Sequence, residues 1–139
     1  GRWILHDSLV YGCIVTHNGN KEPRIANRKA LMNLACGDTG CLLSREMFTV
    51  SPVPNNTVNT TSMVHFGFCA QGIEYEWNGW MQEFEALLAK MHWNEVVVHL
   101  ETTLAGKHTF QWVAGNDAHA PQASVNGVRC EWSRESGLG

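Results

Sequence analysis

The sequence has no run of about 18 apolar residues, so it holds no candidate for a membrane-spanning helix. Its longest stretch without Asp, Glu, Lys or Arg, Met47 to Ile73, is filled with Pro, Asn and Thr between Ser51 and Ser62 and is too polar to cross a bilayer. Lysine is scarce, with only Lys21, Lys29, Lys90 and Lys107, and the Lys and Arg residues are scattered through a chain of net charge −3. No basic patch for nucleic acid or an anionic membrane is legible in that distribution. Repeats of fixed period and low-complexity segments are missing, which excludes solenoids. With 44% apolar and 17% charged residues, disorder and collagen are excluded as well. A chain of 139 residues buries about 68% of the surface exposed when unfolded, so a hydrophobic core can hold it without a metal or disulfide staple. One α+β domain over residues 1–139 is the expectation.

What the sequence does contain is 5 Cys, 6 Trp, 11 Asn and two glycosylation sequons, Asn55-Asn56-Thr57 and Asn59-Thr60-Thr61. With few lysines, this mixture points to a secreted or extracellular protein. Gly1 in place of Met, and the Ser136-Gly137-Leu138-Gly139 end, fit a processed domain of a larger precursor or viral polyprotein. Cys13, Cys36, Cys41, Cys69 and Cys130 are odd in number, so two internal bridges are the maximum. Cys36 and Cys41, separated by the loop Gly37-Asp38-Thr39-Gly40, are the disulfide candidates. Reduced cysteines buried as small apolar residues are the alternative.

Periodicity supplies the elements. Ser8 to Thr16 alternates with apolar residues on both faces, Leu9, Tyr11, Cys13 and Val15 against Val10, Gly12 and Ile14, the mark of a central strand covered on two sides. Ile25 to Cys36 is a helix with a narrow apolar stripe and Gly37 as its stop. Cys41 to Val50 is a strand near an edge, and Ser51 to Thr57 a loop. Ser62 to Ala70 alternates as a third strand. Trp77, Trp80, Met81, Phe84, Leu87, Leu88 and Met91 recur at helical spacing, so Glu74 to Met91 is an amphipathic helix. Glu95 to Thr103 and His108 to Val113 form a hairpin about Leu104–Lys107, and Val128 to Trp132 is a short last strand. The order β-α-β-β-α-β-β places two helices on one face of a five- or six-stranded, mostly antiparallel sheet, compatible with a ferredoxin-like split β-α-β arrangement.

Four constellations bear on chemistry. His99 and Glu101, two apart on a strand, point the same way, and a tight hairpin would bring His108 near them, the groups that acid–base cleavage of an ester or phosphodiester needs. Small sandwiches also show His and Glu to solvent for no catalytic reason. Cys36, Cys41, His65 and Cys69 are metal-ligand types, but His65 and Cys69 stand about 13 Å apart in an extended strand, too far to share one ion, so no metal or other cofactor is expected. No cysteine is singled out as the partner of a histidine, and a Cys on a core face is ordinarily structural. The loop Gly37–Gly40 follows a helix and precedes a strand, the reverse of a phosphate cradle. Among the tryptophans, Trp3 and Trp93 are the least constrained by the apolar stripes, which marks them as candidate binding residues for a protein partner or a glycan. The reading that follows is a small extracellular binding domain, effector-, toxin- or immunity-like. Its alternative is a small hydrolase or nuclease using His99, Glu101 and His108.

Overall fold

The computed structural model describes residues 7–17, 21–34, 42–50, 62–103, 106–114, 118–125 and 129–133, with the backbone alone for Asp7, Lys21 and the last segment. The elements are β1 (Asp7–Thr16), α1 (Lys21–Met32), β2 (Phe48–Val50), β3 (Ser62–Gln71), α2 (Trp77–Leu88), β4 (Glu95–Thr102), β5 (Gly106–Val113) and β6 (Arg129–Ser133). They make one six-stranded sheet of order β2-β3-β1-β4-β5-β6, every neighbouring pair antiparallel. Strands β1 and β2 therefore run parallel with β3 between them, and β3 and β4 run parallel with β1 between them. These are two interleaved split β-α-β units, the ferredoxin-like arrangement, extended past β4 by the hairpin β4-β5 and by β6.

Alternation divides each strand. Val10 and Ile14 of β1, Val64 and Phe66 of β3, Val96, Val98 and Leu100 of β4, and Trp112 of β5 are buried on the face that carries the helices. Helix α2 lies across that face: Trp80 and Phe84 stack on each other at 4.9 Å and meet Phe66 of β3, while Phe84 meets Trp112 of β5. Each such side chain contributes about 1.5–3 kcal/mol by leaving water. Helix α1 joins the same cluster through Leu31. It is also anchored by Asn27, which donates to the His92 carbonyl at 2.9 Å and accepts from the His92 N–H at 2.7 Å.

Gly12 lies where β1 passes closest to its neighbours. A Cβ there would stand 1.9 Å from the Val97 carbonyl oxygen and 2.9 Å from Phe66 Cζ. Only a residue without a side chain lets β1 sit between β3 and β4 at this point.

Three elements differ from the sequence reading. Helix α1 begins at Lys21 and takes Pro23 into its first turn, where the N–H groups have no intrahelical acceptor and a proline removes nothing. It ends at Met32 rather than Cys36, closing with a Leu34 N–H to Leu31 carbonyl bond at 3.2 Å. The expected strand Cys41 to Val50 contracts to Phe48–Val50, because the amides of Leu42 and Leu43 both donate to the Glu83 carboxylate, at 2.8 and 3.1 Å, and Arg45–Met47 forms a 3-10 turn. The expected helix Glu74–Met91 is split: Gly72, at φ 73°, turns the chain out of β3 into a 3-10 turn at Ile73–Glu76, and α2 follows as Trp77–Leu88. Glu74 is held there by the buried Ser8 hydroxyl, which donates to its carboxylate at 2.9 Å. The position of β1 is central, as its two apolar faces require, but among the described residues helices cover only one of them.

Candidate functional site

The helix-free face of the sheet gathers the chemistry-bearing residues. In an antiparallel ladder, residues directly opposite share a face. Tyr11 of β1 lies opposite His99 of β4, His99 opposite Thr109 of β5, and Glu101 opposite Leu9 on one side and Lys107 on the other. The Tyr11 and His99 rings are 4.9 Å apart and tilted by 36°. The Tyr11 hydroxyl donates to the Glu101 carboxylate, His99 Nδ1 and Thr109 Oγ1 hydrogen-bond at 2.9 Å, and the Lys107 ammonium stands 5.9 Å from the centre of the Tyr11 ring.

These surroundings set the protonation of the cluster. Burial, followed by the positive charge of Lys107, lowers the His99 pKa from its ordinary value, against the opposing pull of Glu101. Burial also raises the Tyr11 pKa, and Glu101, accepting its hydroxyl proton, adds to that rise while Lys107 opposes it. Burial therefore favours the uncharged forms of His99 and Tyr11.

The hydrolytic set is not assembled. His99 and Glu101 share this face, but the register places His108 opposite Leu100, which is buried on the helix-covered side. An even-numbered offset along β5 would have been needed; His108 is one residue away from Thr109, the true partner of His99, and a shift of one residue changes the face.

Other expectations meet the structure as follows. Trp93, a candidate surface residue, is 1% exposed: its indole N–H donates to the Leu88 carbonyl at 2.9 Å and its ring stacks on His119 at 4.6 Å. Trp93 is a core residue, and this corrects the surface assignment. His119 is 7% exposed, with Nδ1 2.8 Å from the Met91 carbonyl oxygen and Nε2 3.0 Å from that of Ala123. It pins the segment 118–123 to the connection between α2 and β4, where its backbone also bridges to Trp93. The sequence signal for this was absent, because burial of His119 depends on a segment that returns from after β5. Trp3, Cys36 and Cys41, and both sequons, lie outside the described residues.

Cys13 and His65, by contrast, are brought directly opposite each other on the helix-free face. Burial, with Glu95 nearby, pushes the Cys13 thiol up, the opposite of what a thiolate nucleophile needs. Cys13 and Cys69 are both free thiols, and among the described residues no group of three His, Cys, Asp or Glu side chains has the geometry to hold a metal ion. A cavity of about 150 Å³ lies between α1 and α2, walled by Leu34, Leu43 and Leu87 with Glu83 and Lys90 at its polar side. The Glu83 carboxylate is already engaged by the amides of Leu42 and Leu43. No helix among the described residues is long and apolar enough to cross a membrane.

Fold and site together define an α+β sandwich of two helices and one sheet, with no helix on the sheet's second face among the described residues. Comparison of the chain with family models, with curated proteins and with solved structures finds no match.

Proposed function

We propose that this is a non-enzymatic binding domain that takes a protein partner on the helix-free face of its sheet, and that it works in an extracellular setting. The observation that carries the reading is the apolar content of that face. Leu9, Tyr11, Cys13 and Val15 follow one another along a central strand, Val97 continues the patch onto β4, and Leu9 and Val113 are 38% and 58% exposed. An antiparallel sheet that meets water on one side ordinarily alternates apolar inward with polar outward, so a central strand apolar on both sides is built to be covered twice. A protein surface suits it better than a glycan, because no tryptophan with a described side chain stands on this face: Trp80, Trp93 and Trp112 are buried and Trp77 stacks on Trp80. Scarce lysine and the two sequons support the extracellular setting, while Cys13 and Cys69, both free thiols, add nothing to it.

A panel of generic ester and phosphodiester substrates tests the absence of catalysis. Wild-type protein and the His99→Ala variant are expected to be equally inert. Turnover by the wild type that disappears in His99→Ala would replace this reading with the hydrolase.

A further inference from the structure

We infer that the protein covering the helix-free face is a second copy of this chain, the two sheets packing face to face about a two-fold axis. The inference rests on the binding role proposed for that face and names its occupant.

Three observations carry it. The first is area: at about 16 Å² per strand residue, the strands together present about 700 Å², close to the roughly 800 Å² per partner of a standard stable interface. The second is that the polar groups in the middle of the face bring their own partners. Tyr11 is bonded to Glu101 and His99 Nδ1 to Thr109 within the face itself, so covering these groups removes less hydration than covering unbonded ones would. The third is charge. A face of one sign would repel its own copy, whereas here Glu101 lies opposite Lys107 at one end of the β4-β5 pair, Glu95 lies opposite Val113 at the other, and the rows between them carry Val97, His99, Thr109 and Gln111. A two-fold interface needs a patch that is complementary to itself, and a surface with an apolar central strand flanked by groups of both signs satisfies that condition.

Sedimentation equilibrium of the full chain over a concentration series tests the inference. The expected mass rises with concentration from 15.5 kDa to twice that value. Val97→Glu, at the middle of the face, and Leu9→Glu, at its end, should each weaken the dimer by at least about tenfold, since each buries two unpaired carboxylates across the axis. Leu9 is already partly exposed in the single chain, so Leu9→Glu folds even if Val97→Glu does not, and far-UV circular dichroism checks both. Alkylation of Cys69, exposed beside Leu9 on this face, should slow as wild-type concentration rises and stay constant in Leu9→Glu. A mass of 15.5 kDa at every concentration overturns the inference, as does a dimer that neither substitution weakens and that leaves Cys69 labelling unchanged. The substrate panel judges the binding role separately: a monomer without turnover removes only the second copy, whereas turnover lost in His99→Ala removes the binding role whatever the mass.

Discussion

The link between Asn27 and His92 offers a direct test of how α1 is fixed to the sheet. Asn27 is 5% exposed and makes two bonds to one peptide, donating to the His92 carbonyl and accepting from its N–H. The two halves are not equivalent. The His92 carbonyl also accepts from the Thr16 hydroxyl at 3.0 Å, whereas no second acceptor stands by its N–H among the described bonds. Asn27→Ala therefore strands a part-buried amide, at about 1–3 kcal/mol, and loses a second bond with a backup in place, at about 0.5–1 kcal/mol. A total near 2–3 kcal/mol is a large share of the roughly 5–15 kcal/mol that stabilises a domain. In urea, with a slope of about 1–3 kcal/mol per molar, the midpoint should fall by about 1–2 M. Asn27→Asp keeps an acceptor for the His92 N–H but sets a carboxylate oxygen against the His92 carbonyl oxygen and buries a charge, so its midpoint should also fall below that of wild type. Thr16→Val alone should cost about 1 kcal/mol, but combined with Asn27→Ala it removes both donors from the same carbonyl, and the double variant should lose more than the sum of the two. Wild-type midpoints for Asn27→Ala and Asn27→Asp would refute the assignment of this peptide as the anchor of α1.

Two further outcomes follow from the same physics. Gly12→Ala should abolish folding or cost more than about 3 kcal/mol, because its Cβ meets backbone of β4 that cannot retreat without breaking the β1-β4 ladder, whereas Gly67→Ala, whose nearest contact is 3.6 Å from Tyr11 Cβ, should be nearly neutral; equal midpoints for the two variants would refute the close approach. Burial holds the pKa of His99 and of His92 below the ordinary value, helped by Lys107 and by His119 respectively and opposed by Glu101 and Glu22. The unfolded chain then takes up protons first as pH falls, so stability is full above about pH 7 and declines as the pH drops through about 6.5. The urea midpoint should be lower at about pH 5.5 than at about pH 7.5, with a smaller difference in a His92→Gln, His99→Gln double variant. A midpoint that rises on acidification would show that these imidazoles are not held neutral by the fold.

Much of the fold is legible in local pattern. The two-sided apolar alternation of Ser8 to Thr16 marks a central strand, and β1 lies between β3 and β4. The stripe of Trp80, Phe84, Leu87 and Leu88 marks the buried side of α2, and all four are buried. The errors fall where a distant group intervenes. Nothing within Cys41 to Val50 announces that Glu83, forty residues on, will take the amides of Leu42 and Leu43 away from a β-ladder. The ferredoxin-like order is compatible with the sequence of elements but is fixed only by pairing, since the same order of strands and helices can be wired in several ways.

The candidate site divides along the same line. That His99 and Glu101 share a face was determined by the sequence alone, because side chains alternate with a period of two along any strand. Whether His108 joins them was decided by the register of β4 on β5, and that register pairs His99 with Thr109, sending His108 to the other side. Trp93 and His119 are likewise decided tertiarily, since each is buried by the other across a gap of sequence that no periodicity spans. The chain's own pattern determined which residues are apolar and on which face of its strand each stands; only the assembled sheet decided which of the two faces the helices cover, because covering a face requires elements far apart in sequence to arrive together.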